Sequence, residues 1–103
     1  MRYEIVFAPD ADQALRTLRA YDRVAVLDTI EQQLRHEPTR TSRSRIKRLR
    51  DMRHPQYRLR IGELRVFYDV APGQVEIIAV VTKAKAAEWL ARWGVWRQEE
   101  DPQ

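Results

Sequence analysis

The sequence predicts an α+β domain: an N-terminal strand, an antiparallel two-helix hairpin, a three-stranded antiparallel meander and a short C-terminal helix. Three observations carry that reading. Between Tyr57 and Ile61 the residues alternate, with Tyr57, Leu59 and Ile61 on one face and Arg58 and Arg60 on the other; this period of two sets a dry face against a row of guanidiniums. Between Ala11 and Leu34 apolar residues recur at helical spacing. Finally, 103 residues with no linker, repeat or low-complexity stretch fill one core and not two, so residues 1–103 are read as a single domain.

Arg2 to Phe7 alternates Tyr3, Ile5 and Phe7 with Arg2, Glu4 and Val6, the pattern of a first strand. Ala8-Pro9-Asp10 stops it, and Pro9 fits the start of a helix, where its missing N–H costs nothing. Ala11, Leu15 and Leu18, with Ala14 beside them, stripe a helix that runs to about Tyr21. Asp22 is the expected N-cap of a second helix. Val24, Leu27, Ile30 and Leu34 form its buried face, and it ends ahead of Pro38. Thr39 to Gln56 has only Ile46, Leu49 and Met52 as apolar pattern, enough for a helical turn or two inside a long charged loop.

Gly62-Glu63 makes a hairpin turn between the Tyr57–Ile61 strand and Leu64–Val70, with glycine supplying positive φ. Ala71-Pro72-Gly73-Gln74 is a second turn. Val75 to Thr82 is apolar on both faces and reads as the central strand, covered twice. Ala84 to Trp93 is a short helix with Gly94 as its stop.

Composition narrows the class. Hydrophobic content of 44% with 33% charged residues is that of a folded domain. No run reaches the roughly 20 apolar residues of a spanning helix, and no signal-peptide pattern opens the chain. Cysteine is absent, which excludes disulfides and thiolate chemistry. A soluble, cytoplasmic protein is expected, with no membrane partner. The net charge of +4 hides an asymmetry: Arg40 to Arg60 carries nine positive residues against Asp51 alone, and the Glu99-Glu100-Asp101 tail helps to offset them. Arginine outnumbers lysine there eight to one, and its planar fork suits phosphate and base edges. Arg43, Arg45, Lys47, Arg48, Arg50 and Arg53 are therefore the expected RNA-binding residues.

His36 and His54 are the only histidines. Neither has metal-ligand spacing to a carboxylate pair, so both are expected at the surface, with no metal and no cofactor. What remains is the outward row of Arg58 and Arg60, with Arg65 across the hairpin and Lys83 and Lys85 at the sheet end. Only Glu63, Asp69 and Glu76 lie near enough in sequence to pair with them, so several of these cations should be free. Such a cluster suits RNA phosphodiester cleavage, holding the phosphate and stabilising the charge that builds as the ribose 2′-OH attacks. Arginine is a poor general base, so Lys83 or Lys85, depressed by cationic neighbours, is the candidate for proton transfer. Trp89, Trp93 and Trp96 are spaced by four and three; they serve either as a partner-binding surface or as packing on the sheet.

The run Tyr57 to Val70, Y-R-L-R-x-G-x-x-R-V-F-Y-D-V, followed by Val75-Glu76-Ile77-Ile78-Ala79-Val80-Val81 and a basic residue, resembles the RelE/ParE superfamily of bacterial type II toxins. The outline of elements matches over nearly the whole chain. The resemblance implies a microbial-ribonuclease-like α+β toxin, neutralised by a cognate antitoxin. RelE-type members are endoribonucleases (mRNA interferases) that cut messenger RNA on the ribosome with a basic cluster and inhibit translation. Arg58, Arg60 and Arg65 stand at the matching strand positions. Thr82-Lys83-Ala84-Lys85 replaces the family's glycine and basic pair, and Trp89-Leu90 occupies the place of its C-terminal tyrosine. ParE-type members share the fold and act on DNA gyrase. The resemblance thus leaves three readings: a nuclease, a gyrase poison, or an inactive homologue.

Overall fold

The computed structural model describes residues 1–97; the acidic tail from Glu99 lies outside the described residues. The elements run β1 (Glu4–Phe7), α1 (Pro9–Thr17), α2 (Ala20–Leu34), β2 (Ile46–Arg48), β3 (Met52–His54), β4 (Tyr57–Ile61), β5 (Leu64–Ala71), β6 (Gln74–Thr82), α3 (Lys83–Trp93) and β7 (Val95–Trp96). Five strands form one sheet in the order β1-β6-β5-β4-β2, and β3 pairs with β7 in a second, two-stranded sheet. The β4–β5–β6 meander is antiparallel, as its two short turns require, while β1 runs parallel to β6. Gly62 (φ 57°) and Gly73 (φ 73°) sit at those turns in the left-handed region, where a Cβ would strain the backbone.

The helical hairpin lies on one side of this sheet. Pro9 opens α1, with Asp10 and Asp12 in the first turn, where carboxylates complement the helix dipole. α1 ends at Thr17, and Tyr21 belongs to α2, where it is exposed. Asp22 is not the N-cap. Arg19 holds that position, and its Nε donates to the Asp22 carboxylate at 3.3 Å.

The face of α2 also differs from expectation. Val26, Ile30 and Leu34 are buried, whereas Val24 is 57% and Leu27 39% exposed. Two apolar stripes cross this helix and share Ile30 and Leu34; the sheet takes the one spaced by four and leaves Val24 and Leu27 to solvent. The core joins these residues to Ala11, Leu15, Ile46, Leu59, Val66, Tyr68, Val75 and Ile77. Tyr57 and Tyr68 stack across the β4–β5 ladder at 5.4 Å. The Tyr68 hydroxyl donates to the Pro38 carbonyl at 2.7 Å, and burial raises its pKa far above that of a free phenol.

The central strand is β5, not β6. The register explains why β6 looks apolar on both faces. Phe67 pairs with Ala79 and Tyr68 with Ile77, so Ile78 is an extra residue that switches the alternation. Val75 and Ile77 before this bulge, and Val80 after it, all join the core under the helices.

The expected helical turns around Ile46, Leu49 and Met52 are strands instead. Ile46 opens β2, which extends the sheet beside β4, and Met52 opens β3; both are buried. Asp51, at φ 61°, makes the turn between them. Arg48 holds the segment together. Its Nη1 donates to the carbonyls of Leu49, Met52 and Gln56 at 2.9, 3.3 and 2.8 Å, and its guanidinium lies 5.4 Å from the Tyr57 ring centre. No helix among the described residues is long and apolar enough to cross a membrane.

Candidate functional site: a cationic sheet face

Side chains on the face away from the hairpin follow from register. Lys47, Arg58, Phe67 and Ala79 form one cross-strand row, and Arg60, Arg65 and Val81 the next. α3 covers part of this face. Trp89 stacks on Phe67 with ring centres 5.1 Å apart and planes within 8°, which places Trp89 in packing on the sheet. The arginines lie beside that stack.

None of Arg58, Arg60 and Arg65 makes an ion pair among the described residues. Arg65 is 6% exposed, and its Nη1 donates to the Gly62 and Leu64 carbonyls, both at 2.9 Å, so it braces the hairpin turn as well as lending charge. Arg60 is exposed. Arg58 is half-buried, and its Nε is the one buried side-chain polar atom without a hydrogen-bond partner among the described residues. Burial first, then the charges of Arg65 and Arg60, lower the pKa of its guanidinium. A buried donor left unpaired costs roughly 1–3 kcal/mol. An anion bound beside the three arginines would relieve their repulsion.

The other cations are spread more widely. Lys83 and Lys85 are exposed in the first turn of α3, and the Lys83 N–H donates to the Glu63 carbonyl at 2.7 Å. Both ammoniums stand in water at the sheet end, fit to hold phosphate as point charges. Arg43, Arg45, Lys47, Arg50 and Arg53 are exposed, but only Lys47 joins the arginine row, through its pairing with Arg58. Arg53 belongs to the small second sheet, and Arg48 is committed to the loop carbonyls. Trp93, 58% exposed, carries the Arg92 guanidinium 5.1 Å from its ring centre, and Trp96, 51% exposed, pairs with Met52. The three tryptophans therefore do not make one stripe. Gly94 ends α3 at an ordinary negative φ; it is needed for space, since a Cβ there would lie 2.3 Å from Met52 Cε.

One arrangement differs from the surface position expected of both histidines. His36 is exposed, but His54 is half-buried and its Nδ1 hydrogen-bonds the Asp69 carboxylate. The other Asp69 oxygen accepts the Gln56 N–H at 2.7 Å, and Gln56 Oε1 accepts the Val70 N–H at 2.9 Å. Hairpin counting from Gly62-Glu63 pairs Tyr57 with Tyr68 and so sets Gln56 beside Asp69; that is the signal available in the sequence. The return of the chain through β7, which pairs Val95 with His54, completes the placement. His54 lines a cleft of about 420 Å³ with Asp10, Glu76, Ile78, Trp89 and Trp93.

A helix hairpin on one side of a mixed, mainly antiparallel sheet, with arginines lacking carboxylate partners among the described residues on the other, defines a small α+β protein built around a cationic sheet face. Comparison with known proteins gives the family. The model for the ParE toxin of type II toxin–antitoxin systems (parDE) matches residues 5–87. The chain belongs to that family of toxins, within the RelE/ParE superfamily. Its fold is similar to that in the RelBE2 toxin–antitoxin complex of Mycobacterium tuberculosis, with 25% identity, a TM-score of 0.68, and coverage of 80% of this chain and 99% of that one. The archaeal RelE–RelB complex from Pyrococcus horikoshii is similar at 22% identity and a TM-score of 0.67, covering 84% and 100%. The YoeB dimer from Staphylococcus aureus shares the fold at 19% identity and a TM-score of 0.52, covering 77% and 94%. No curated protein gives a significant match.

Proposed function

We propose that this toxin is an endoribonuclease that cleaves messenger RNA on the ribosome, with Arg58, Arg60 and Arg65 holding the scissile phosphate. The observation that carries the reading is the unsatisfied Arg58 Nε one row along from two further guanidiniums, Arg60 and Arg65, that have no carboxylate partner among the described residues. Arginines kept without carboxylate partners, at a cost in repulsion, are preorganised donors for a developing anion. The pentacoordinate phosphate formed by 2′-OH attack is such an anion, and DNA offers no 2′-OH to attack. Lys47 in the row, Lys83 and Lys85 at the sheet end, and the exposed Arg43, Arg45, Arg50 and Arg53 hold the strand beyond the cleaved bond. The toxin works in the cytoplasm, where its substrate is.

A cognate antitoxin is the resting partner. The similar structures from Mycobacterium tuberculosis and Pyrococcus horikoshii are toxin–antitoxin complexes. The part of the cationic face that α3 leaves open, together with exposed Trp93 and Trp96, suits an acidic segment with apolar anchors.

The match to the ParE model favours a second reading, in which the same face binds DNA gyrase. Inducible expression in a bacterial host separates the two. New messenger RNA ends inside codons, with plasmid supercoiling unchanged, support the nuclease. Relaxed or cleaved plasmid with intact messenger RNA supports gyrase.

A further inference from the structure

The arginine row supplies charge but nothing to take a proton. We propose that His54 is the catalytic residue that accepts the 2′-OH proton, with Asp69 and Gln56 as its positioning residues; this rests on the ribonuclease reading above.

The geometry is that of an oriented base. Asp69 is fixed by the Gln56 N–H at 2.7 Å, and its second oxygen meets His54 Nδ1. A carboxylate there holds the proton on Nδ1 and leaves the Nε2 lone pair as an acceptor. Asp69 lies two residues beyond Phe67 on β5, so the dyad sits about 7 Å along the sheet from the Arg58–Phe67 pair, on the same face. A ribose–phosphate unit bridges that gap. The cleft that His54 lines gives the nucleotide room, with Trp89 and Trp93 as faces on which a base stacks. The charged groups facing His54 are Asp69 from β5, Glu76 from β6 and Asp10 from α1. All three are carboxylates, opposite in charge to the imidazolium that the transfer forms.

The step balances without a further reactant. The 2′ oxygen bonds to phosphorus as its proton passes to Nε2. The P–O5′ bond breaks with its electron pair on O5′, which takes a proton from water. The hydroxide left behind takes the proton from the imidazolium. The products are a 2′,3′-cyclic phosphate and a 5′-hydroxyl.

Single-turnover cleavage of ribosome-bound messenger RNA, followed against pH for the wild type, H54Q and D69N, tests the assignment. H54Q should lose about 10²–10⁴ in rate with RNA affinity unchanged, and its rate should no longer rise with pH through the range where imidazole deprotonates. Added imidazole should restore part of the rate to His54→Ala. D69N should cleave more slowly with a displaced pH profile, which a purely structural link would not produce. An H54Q protein that is folded by circular dichroism and cleaves at the wild-type rate overturns this proposal and leaves the ribonuclease reading intact. A wild type that yields no new RNA ends overturns both. Should H54Q fail to fold, the wild-type profile decides, and a flat one rejects His54.

Discussion

Arg60 and Arg65 stand directly opposite each other in the β4–β5 ladder, two guanidiniums on adjacent strands with no carboxylate bonded to either among the described residues. Like charges so placed destabilise a sheet by roughly 0.2–1 kcal/mol. A fold under selection for stability alone would place an acid in one of these positions. On the reading proposed above, the pair serves the phosphate it binds, at that cost in stability.

Arg60→Gln should expose that balance. Stability should hold or rise by up to about 1 kcal/mol in denaturant unfolding, since the repulsion is removed. RNA affinity should fall, and the slope of log affinity against log salt should flatten by about 0.7, because one fewer phosphate is neutralised. A less stable variant with an unchanged salt slope would show that Arg60 serves the fold.

The two stripes of α2 give a second comparison. Ile30→Ala should cost about 2–5 kcal/mol, because Ile30 is 2% exposed in the core. Leu27→Ala should stay within about 0.5 kcal/mol of wild type, as surface substitutions do. Equal losses in thermal or denaturant unfolding would place the hairpin in a different rotation on the sheet.

The same helix shows how far the sequence could be read. Helix existence was legible from spacing, but both stripes of α2 satisfy it, and only the sheet beneath chooses Val26 over Val24 and Leu27. The meander was legible because Tyr57–Ile61 alternates without exception and its turns carry Gly62 and Gly73. β2 and β3 were not, because three residues are too few to show a period of two, and the partner of β3 is β7, near the other end of the described chain. Arg58 and Arg60 could be set on one face from alternation, and Arg65 beside them from the Gly62-Glu63 turn. The burial of Arg65 could not, since it depends on how the Gly62 turn folds back over the side chain. The role of His54 was hidden because Asp69 is 15 residues away, and the two meet only once the hairpin is closed.

Gly94→Ala should test the closure of α3 onto β3. The added Cβ would meet Met52 Cε at 2.3 Å and the Leu90 carbonyl oxygen at 2.6 Å, and the second of these is backbone that cannot step aside. A loss of about 1–3 kcal/mol is expected, the range for overpacking a filled site. Gly94→Ala combined with Met52→Ala should still be destabilised by the clash with Leu90. Full recovery in the double variant would show that Met52 alone sets the limit.

Alkaline stability should carry the signature of Tyr68. Its pKa is raised in the folded state, so the fold keeps the phenol protonated where the unfolded chain releases it. The contribution is whole below about pH 10, the ordinary tyrosine value, and declines as pH rises beyond it. Tyr68→Phe should make unfolding free energy less steep in pH above that point, while lowering stability near neutrality because the bond to Pro38 is gone. An unchanged slope would mean another group governs alkaline unfolding.

If the unpaired arginine face performs RNA cleavage, Arg58 is the residue on which that claim stands or falls. The decisive measurement is the rate at which purified wild-type protein and Arg58→Ala produce new 5′-hydroxyl ends in ribosome-bound messenger RNA. Removing one preorganised donor typically costs 10²–10³ in rate, so Arg58→Ala should fall by about that factor while its melting temperature stays level or rises, since the unpaired Nε is gone. Cleavage by Arg58→Ala at the wild-type rate, or no new ends from the wild type, would contradict the account.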